Sequence, residues 1–136
     1  MMRAILLTFT LVWAQGILAQ DPAVVANGTG QTNWTDGQIM AVFNGERTIW
    51  PSGLPAVVVL PASESDSFEK TAAWCFDTDG FEYQKHWLSL VFQGRTAPPV
   101  FVDSEQEVLK YVEEHPGAIG LLHAVEAPSN LRLRLK

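Results

Sequence analysis

Two spacings of apolar residues alternate along the chain. The consecutive runs Ala23-Val24-Val25-Ala26, Ala56-Val57-Val58-Val59-Leu60, Val100-Phe101-Val102 and Ala118 to Leu122 predict strands. The unbroken run at 56–60 predicts a strand covered on both faces. Helical spacing fills the intervals. Thr35-Asp36-Gly37-Gln38 places a hydroxyl three residues before a glutamine, the capping-box signature, and Ile39, Met40 and Phe43 then share a face up to a stop at Asn44-Gly45. Ser63 to Ser67 opens a second helix with Phe68, Ala72 and Cys75 on one face, broken by Asp77-Thr78-Asp79-Gly80. A third helix starts near Glu82, with Trp87, Leu88, Val91 and Phe92 as its expected buried stripe and Gly94 as its stop. Ser104-Glu105-Gln106-Glu107 reads as another capping box; Val108, Leu109 and Val112 point inward, and His115-Pro116-Gly117 ends that helix. Trp50-Pro51-Ser52-Gly53 predicts a turn, and the alternation from Leu131 to Lys136 predicts a half-exposed edge strand.

Strands interleaved with helices predict an α/β layered sandwich, a mixed or mostly parallel sheet flanked by helices. The chain has 136 residues, 47% of them hydrophobic and five of them tryptophan, enough to pack one core and too apolar for a disordered segment. The first residues change the picture of where that domain works. Met1-Met2-Arg3 is a weakly basic start, Ala4 to Val12 is apolar, and Ala14, Gly16 and Ala19 are small. This layout predicts a signal peptide over 1–19 cleaved after Ala19, with Ala14 the other candidate, and a single domain over 20–136 in the periplasm or outside the cell. The apolar stretch falls short of the roughly 20 residues a bilayer span needs, so no stable membrane insertion is expected after cleavage.

The formal charge of −6 argues against nucleic acid and anionic membranes, both of which select basic patches. The single cysteine, Cys75, excludes an internal disulfide and reads as a core residue. No Ser-His-Asp arrangement, phosphate loop or paired acid stands out, so neither an enzyme nor a cofactor is expected. His86, His115 and His123 lack metal-ligand spacing. Asp77-Thr78-Asp79-Gly80 shares two acids with a calcium loop but lacks its later ligands, and reads as a helix-breaking turn.

The order Ile39 to Gly45, then Trp50-Pro51-Ser52-Gly53, then Val57 to Pro61 resembles the phosphate-binding-protein-like family, periplasmic solute-binding domains related to the substrate-binding subunit of phosphate ABC transporters. Phe68, His86-Trp87, Phe92, Gly94, Pro98-Pro99 and Pro116 to Gly120 continue the resemblance, which spans roughly residues 36–124. It implies one lobe of a type II periplasmic binding protein, phosphate or another small oxyanion as ligand, and an ABC transporter permease or another envelope protein as partner. In two-lobed members an Arg-Ser-Asp-Gly-Ser-Gly-Thr loop at a helix start holds the anion. The matching stretch here is Pro61-Ala62-Ser63-Glu64-Ser65-Asp66-Ser67, where the arginine position falls on Pro61 and Glu64 and Asp66 add negative charge.

Ser63, Ser65 and Ser67 are therefore the candidate ligand residues, because hydroxyls and free N–H groups at a helix start suit an oxyanion. The same serines also serve as simple helix caps. Two expectations follow: a solute-binding module, or an interaction domain of the envelope that kept the fold and lost the ligand. In the second, Trp34 and Trp50 are expected on an exposed ligand face.

Overall fold

The computed structural model describes residues 22–136, so the expected signal peptide and its cleavage site lie outside the described residues. Ten elements follow one another: β1 (Ala23–Ala26), β2 (Asn33–Trp34), α1 (Asp36–Phe43), β3 (Val57–Leu60), α2 (Asp66–Phe76), α3 (Gly80–Phe92), β4 (Val100–Phe101), α4 (Glu105–Glu114), β5 (Ala118–Leu122) and β6 (Arg134–Leu135). The central sheet runs β1-β5-β3-β4. β3 lies parallel to both β5 and β4, and only β1 is antiparallel, opposing Ala23 to Leu122. This is the mixed, mostly parallel α/β sandwich that the sequence predicts.

Both faces of the sheet are covered, and strand alternation sorts the side chains between them. Val24, Val58, Leu60, Ile119 and Leu121 join the larger core with α1, α2, α3, Trp34 and Trp50. Val25, Val59, Ala118 and Leu122 face the other way, onto Val108 and Val112 of α4. A sheet buried on both faces needs continuous apolar runs, which is why β3 and β5 contain no polar residue.

Local signals explain the helix ends. Thr35 caps α1 with the full reciprocal box, its hydroxyl accepting from Gln38 N while Gln38 Oε1 accepts from Thr35 N. Asp77 takes a left-handed conformation at φ 49° and Asp79 caps α3, so the acidic tetrapeptide is the expected turn between two helices. At α4 the box is shifted by one: Ser104 accepts from Glu107 N, but Glu107 reaches back to the N–H of Asp103.

Four expectations need correction. The buried face of α1 is Ile39, Val42 and Phe43, with Met40 only half-buried. α3 buries Tyr83 and Trp87, while Leu88 (57% exposed) and Phe92 (86%) face solvent. The reason is that Tyr83 Oη and Trp87 Nε1 both donate to Phe43 O, which turns that side of α3 inward. Trp34 and Trp50 are buried edge to face at 5.4 Å, because Trp50 Nε1 finds Gly117 O and Trp34 Nε1 finds Gln31 O inside the fold. The last segment forms a strand only over Arg134–Leu135, alongside β2, a strand the apolar pattern does not announce, while Arg132 makes an isolated antiparallel bridge to Val25 of β1.

Candidate functional site

Three parallel strands, β3, β4 and β5, deliver their carboxyl ends to one edge of the sheet, the usual place for a ligand crevice in an open α/β fold. Each is followed by a loop that reaches this edge: 61–65, 102–104 and 123–125. A shallow cavity of about 300 Å³ lies there, lined by Pro61, Ser65, Ser67, Asp103, Glu105 and Val125 among others. Of the three sequence-predicted serines, Ser65 and Ser67 line this cavity at the start of α2, and Ser63 does not.

Their hydroxyls are engaged within the protein. Ser65 is the N-cap of α2: its hydroxyl accepts from Phe68 N at 3.2 Å and donates to Ala62 O at 2.6 Å. Ser63 is on the surface, donating to its neighbour Glu64. Ser67 donates to Glu105 Oε2. The backbone N–H groups of Asp66 and Ser67, as first-turn groups of α2, have no acceptor among the described residues.

Glu105 is the residue that sequence reasoning placed only as part of a capping box. It is 7% exposed, and its Oε1 accepts from three consecutive backbone N–H groups, His123 at 2.7 Å, Ala124 at 3.0 Å and Val125 at 3.2 Å. With the Ser67 hydroxyl on Oε2, the carboxylate has four donors drawn from the ends of β5 and α2. Burial alone would push its pKa up, but these donors outweigh it and hold the group below its ordinary value of 4.5. Only the tertiary fold brings 105, 123–125 and 67 together, so no local signal identifies the cluster.

The His123 side chain turns to α2, where it meets Thr71. Thr71 has one hydroxyl hydrogen, given to Ser67 O at 2.8 Å, so the His123 Nε2 that sits 3.1 Å from Thr71 Oγ1 carries the ring hydrogen. Burial lowers the His123 pKa, Glu105 opposes that shift and Lys70 adds to it. Both groups bind fewer protons folded than unfolded, so their contributions carry the same sign. Stability from His123 is full above its ordinary value near 6.5 and falls as pH drops through its lowered folded value. Stability from Glu105 is full above 4.5 and falls as pH drops below it. Melting temperature is thus expected to decline in two stages on acidification, and His123→Gln to remove the upper stage alone. An unchanged upper stage in that variant refutes the assignment.

The other histidines lie elsewhere. His86 Nε2 is 2.7 Å from Asn44 O, and His115 stacks on Tyr111 at 3.8 Å. Among the described residues no group of three or more His, Cys, Asp or Glu is placed to hold a metal ion, and no helix is long and apolar enough to cross a membrane. Cys75 is buried between α2 and α3, and desolvation pushes its thiol up to about 12, far from a reactive thiolate. A larger cavity, about 730 Å³, is lined by Arg132, Arg134 and Lys136 but also by Pro22, the first described residue, so its extent borders residues outside the description.

No family model matches the sequence, and no curated protein matches it. Solved structures do. An ABC-type phosphate transport receptor from Vibrio cholerae superposes with a TM-score of 0.55 at 18% identity, over 84% of this chain and 45% of the receptor. PstS from Borrelia burgdorferi aligns at a TM-score of 0.49 and 15% identity over 74% of this chain and 39% of its own, and the fold assignment rests on the first. The chain thus spans less than half the length of the receptor it matches, and over that span it shares the receptor's α/β fold.

Proposed function

We propose that this chain is an exported, non-enzymatic solute-binding-protein-like domain that works by binding another protein of the cell envelope rather than by carrying a free solute. The observation that carries this reading is Glu105. A carboxylate already takes the three loop N–H groups and the Ser67 hydroxyl at the edge where a ligand would sit. Glu64, Asp66 and Asp103 add negative charge around the same loops, which disfavours a free anion further. The face available to a partner is on α3, where Phe81 (70% exposed), Leu88 and Phe92 form one helical row. A permease of an ABC transporter is one envelope protein of the expected kind.

Calorimetric titration of the wild-type domain with phosphate and sulfate is expected to give no saturable heat up to millimolar ligand, and binding tighter than that refutes the reading. A photo-crosslinker at position 88 in intact cells is expected to give one discrete adduct that Phe81→Asp with Phe92→Asp abolishes without lowering the melting temperature. Absence of any adduct counts against the partner.

A second reading has its own support. The unpaired N–H groups of Asp66 and Ser67 leave a helix start with donors for phosphate or a similar oxyanion, with Ser63, Ser65 and Ser67 around it. It requires phosphate to shift the amide resonances of Asp66 and Ser67 in the wild-type protein, and their constancy would exclude it.

A further inference from the structure

The geometry points to a self-liganded anion site: we propose that the His123–Val125 loop and the Ser67 hydroxyl form a receptor for a planar carboxylate, and that Glu105 fills it in cis as a built-in competitor. This deepens the reading of the crevice as closed to free solutes and rests on it. The donors are arranged as for a ligand. Oε1 takes three N–H groups from consecutive residues, and Oε2 takes a hydroxyl from a different helix. Backbone N–H groups converging in this way form an anion-binding concavity whatever molecule supplies the anion.

The occupant arrives from a third segment. Glu105 is the first residue of α4, after the N-cap Ser104, and its side chain crosses to loops 18 to 20 residues later in sequence and to Ser67, 38 residues earlier. Being tethered, it competes with any free carboxylate at an effective concentration in the millimolar range or above, with no entropy of association to lose. A free anion at ordinary cellular concentration does not displace it. The site is therefore held shut by covalent connection rather than by absence of donors.

Truncation makes the prediction sharp. Glu105→Ala removes the CH₂–COO⁻ portion of the side chain, a fragment the size of acetate, and leaves the four donors in place. Glu105→Gln keeps the shape and one acceptor oxygen, so it keeps the site filled. The melting temperature of Glu105→Ala is expected to fall by about 5–10 °C from the loss of a charge-assisted network. Sodium acetate or formate at constant ionic strength is expected to restore about 3–6 °C of that loss saturably, as binding to the folded state requires. The amide resonances of His123, Ala124 and Val125 are expected to move with the same midpoint. Wild type and Glu105→Gln are expected to show no response beyond that to chloride.

Were Glu105→Ala not to fold in chloride, its refolding yield in acetate against chloride reads the same site. Acetate and formate without effect beyond chloride on Glu105→Ala, or an equal effect on wild type, overturns the proposal. Rescue by sulfate but not by acetate overturns the ligand class. Failure of the partner reading is separate: phosphate shifting Asp66 and Ser67 amides in wild type refutes that reading while leaving the 123–125 cradle to be judged by acetate alone.

Discussion

Trp50→Ala is expected to destabilise the domain by about 3–5 kcal/mol, the range for deleting a large aromatic from a packed core. Trp50 is 2% exposed and packs edge to face on Trp34 at an interplanar angle of 72°. Its indole N–H donates to Gly117 O at 2.8 Å, a bond that ties the 50–53 turn to the loop entering β5. The alanine variant leaves a cavity between these segments and removes the bond together with the ring. Trp50→Phe keeps most of the volume and loses the donor, so a smaller loss of about 1–2 kcal/mol is expected. Chemical denaturation with both variants measures the difference; a loss under about 1 kcal/mol for alanine would contradict the buried placement.

Gly117→Ala is expected to cost about 2–4 kcal/mol through the backbone. Gly117 has φ +93°, a conformation that side-chain-bearing residues avoid, and a Cβ there would run into Pro55 O, a backbone atom that cannot rotate away. The residue is also a junction. Its N–H donates to Asn27 O at 2.7 Å, and its carbonyl accepts from Val57 N at 2.9 Å as well as from Trp50. Shifting it disturbs the entry to both β3 and β5, and therefore the spacing of the carboxyl ends that form the crevice. Because Trp50 bonds to Gly117, the double variant is expected to lose less than the sum of the singles by at least about 0.5 kcal/mol. Strict additivity in the denaturation cycle would show that the two do not act through one bond.

The sheet strands and helix termini were legible because their causes are local. β5 runs over Ala118–Leu122, the span of the apolar run, and the Thr35–Gln38 box, the Asp77–Gly80 turn and the Asn44-Gly45 stop follow from side-chain hydrogen bonds and glycine freedom within a few residues. The buried face of α3 was not legible. That helix carries apolar residues on both its Tyr83-Trp87 and its Leu88-Phe92 sides, so periodicity could not choose between them; the choice was made by the Phe43 carbonyl, 40 and 44 residues away. The two tryptophans were misplaced for a related reason. A tryptophan in a loop sequence looks exposed until the carbonyl that accepts its N–H is known.

The crevice divides in the same way. The serines at the start of α2 were visible as a polar cluster before an apolar helix, and Ser65 is a cap for the reason such clusters usually are. Glu105 was visible only as a residue of α4's first turn, since nothing near it in sequence distinguishes a buried carboxylate from a solvated one. The sequence by itself determined the α/β order, the two-sided burial of β3 and most helix ends, because each depends on spacing and caps within a few residues. Only the tertiary structure decided which carboxylate meets the 123–125 N–H groups, because that contact joins three segments far apart in sequence and exists only once the parallel strands align their carboxyl ends.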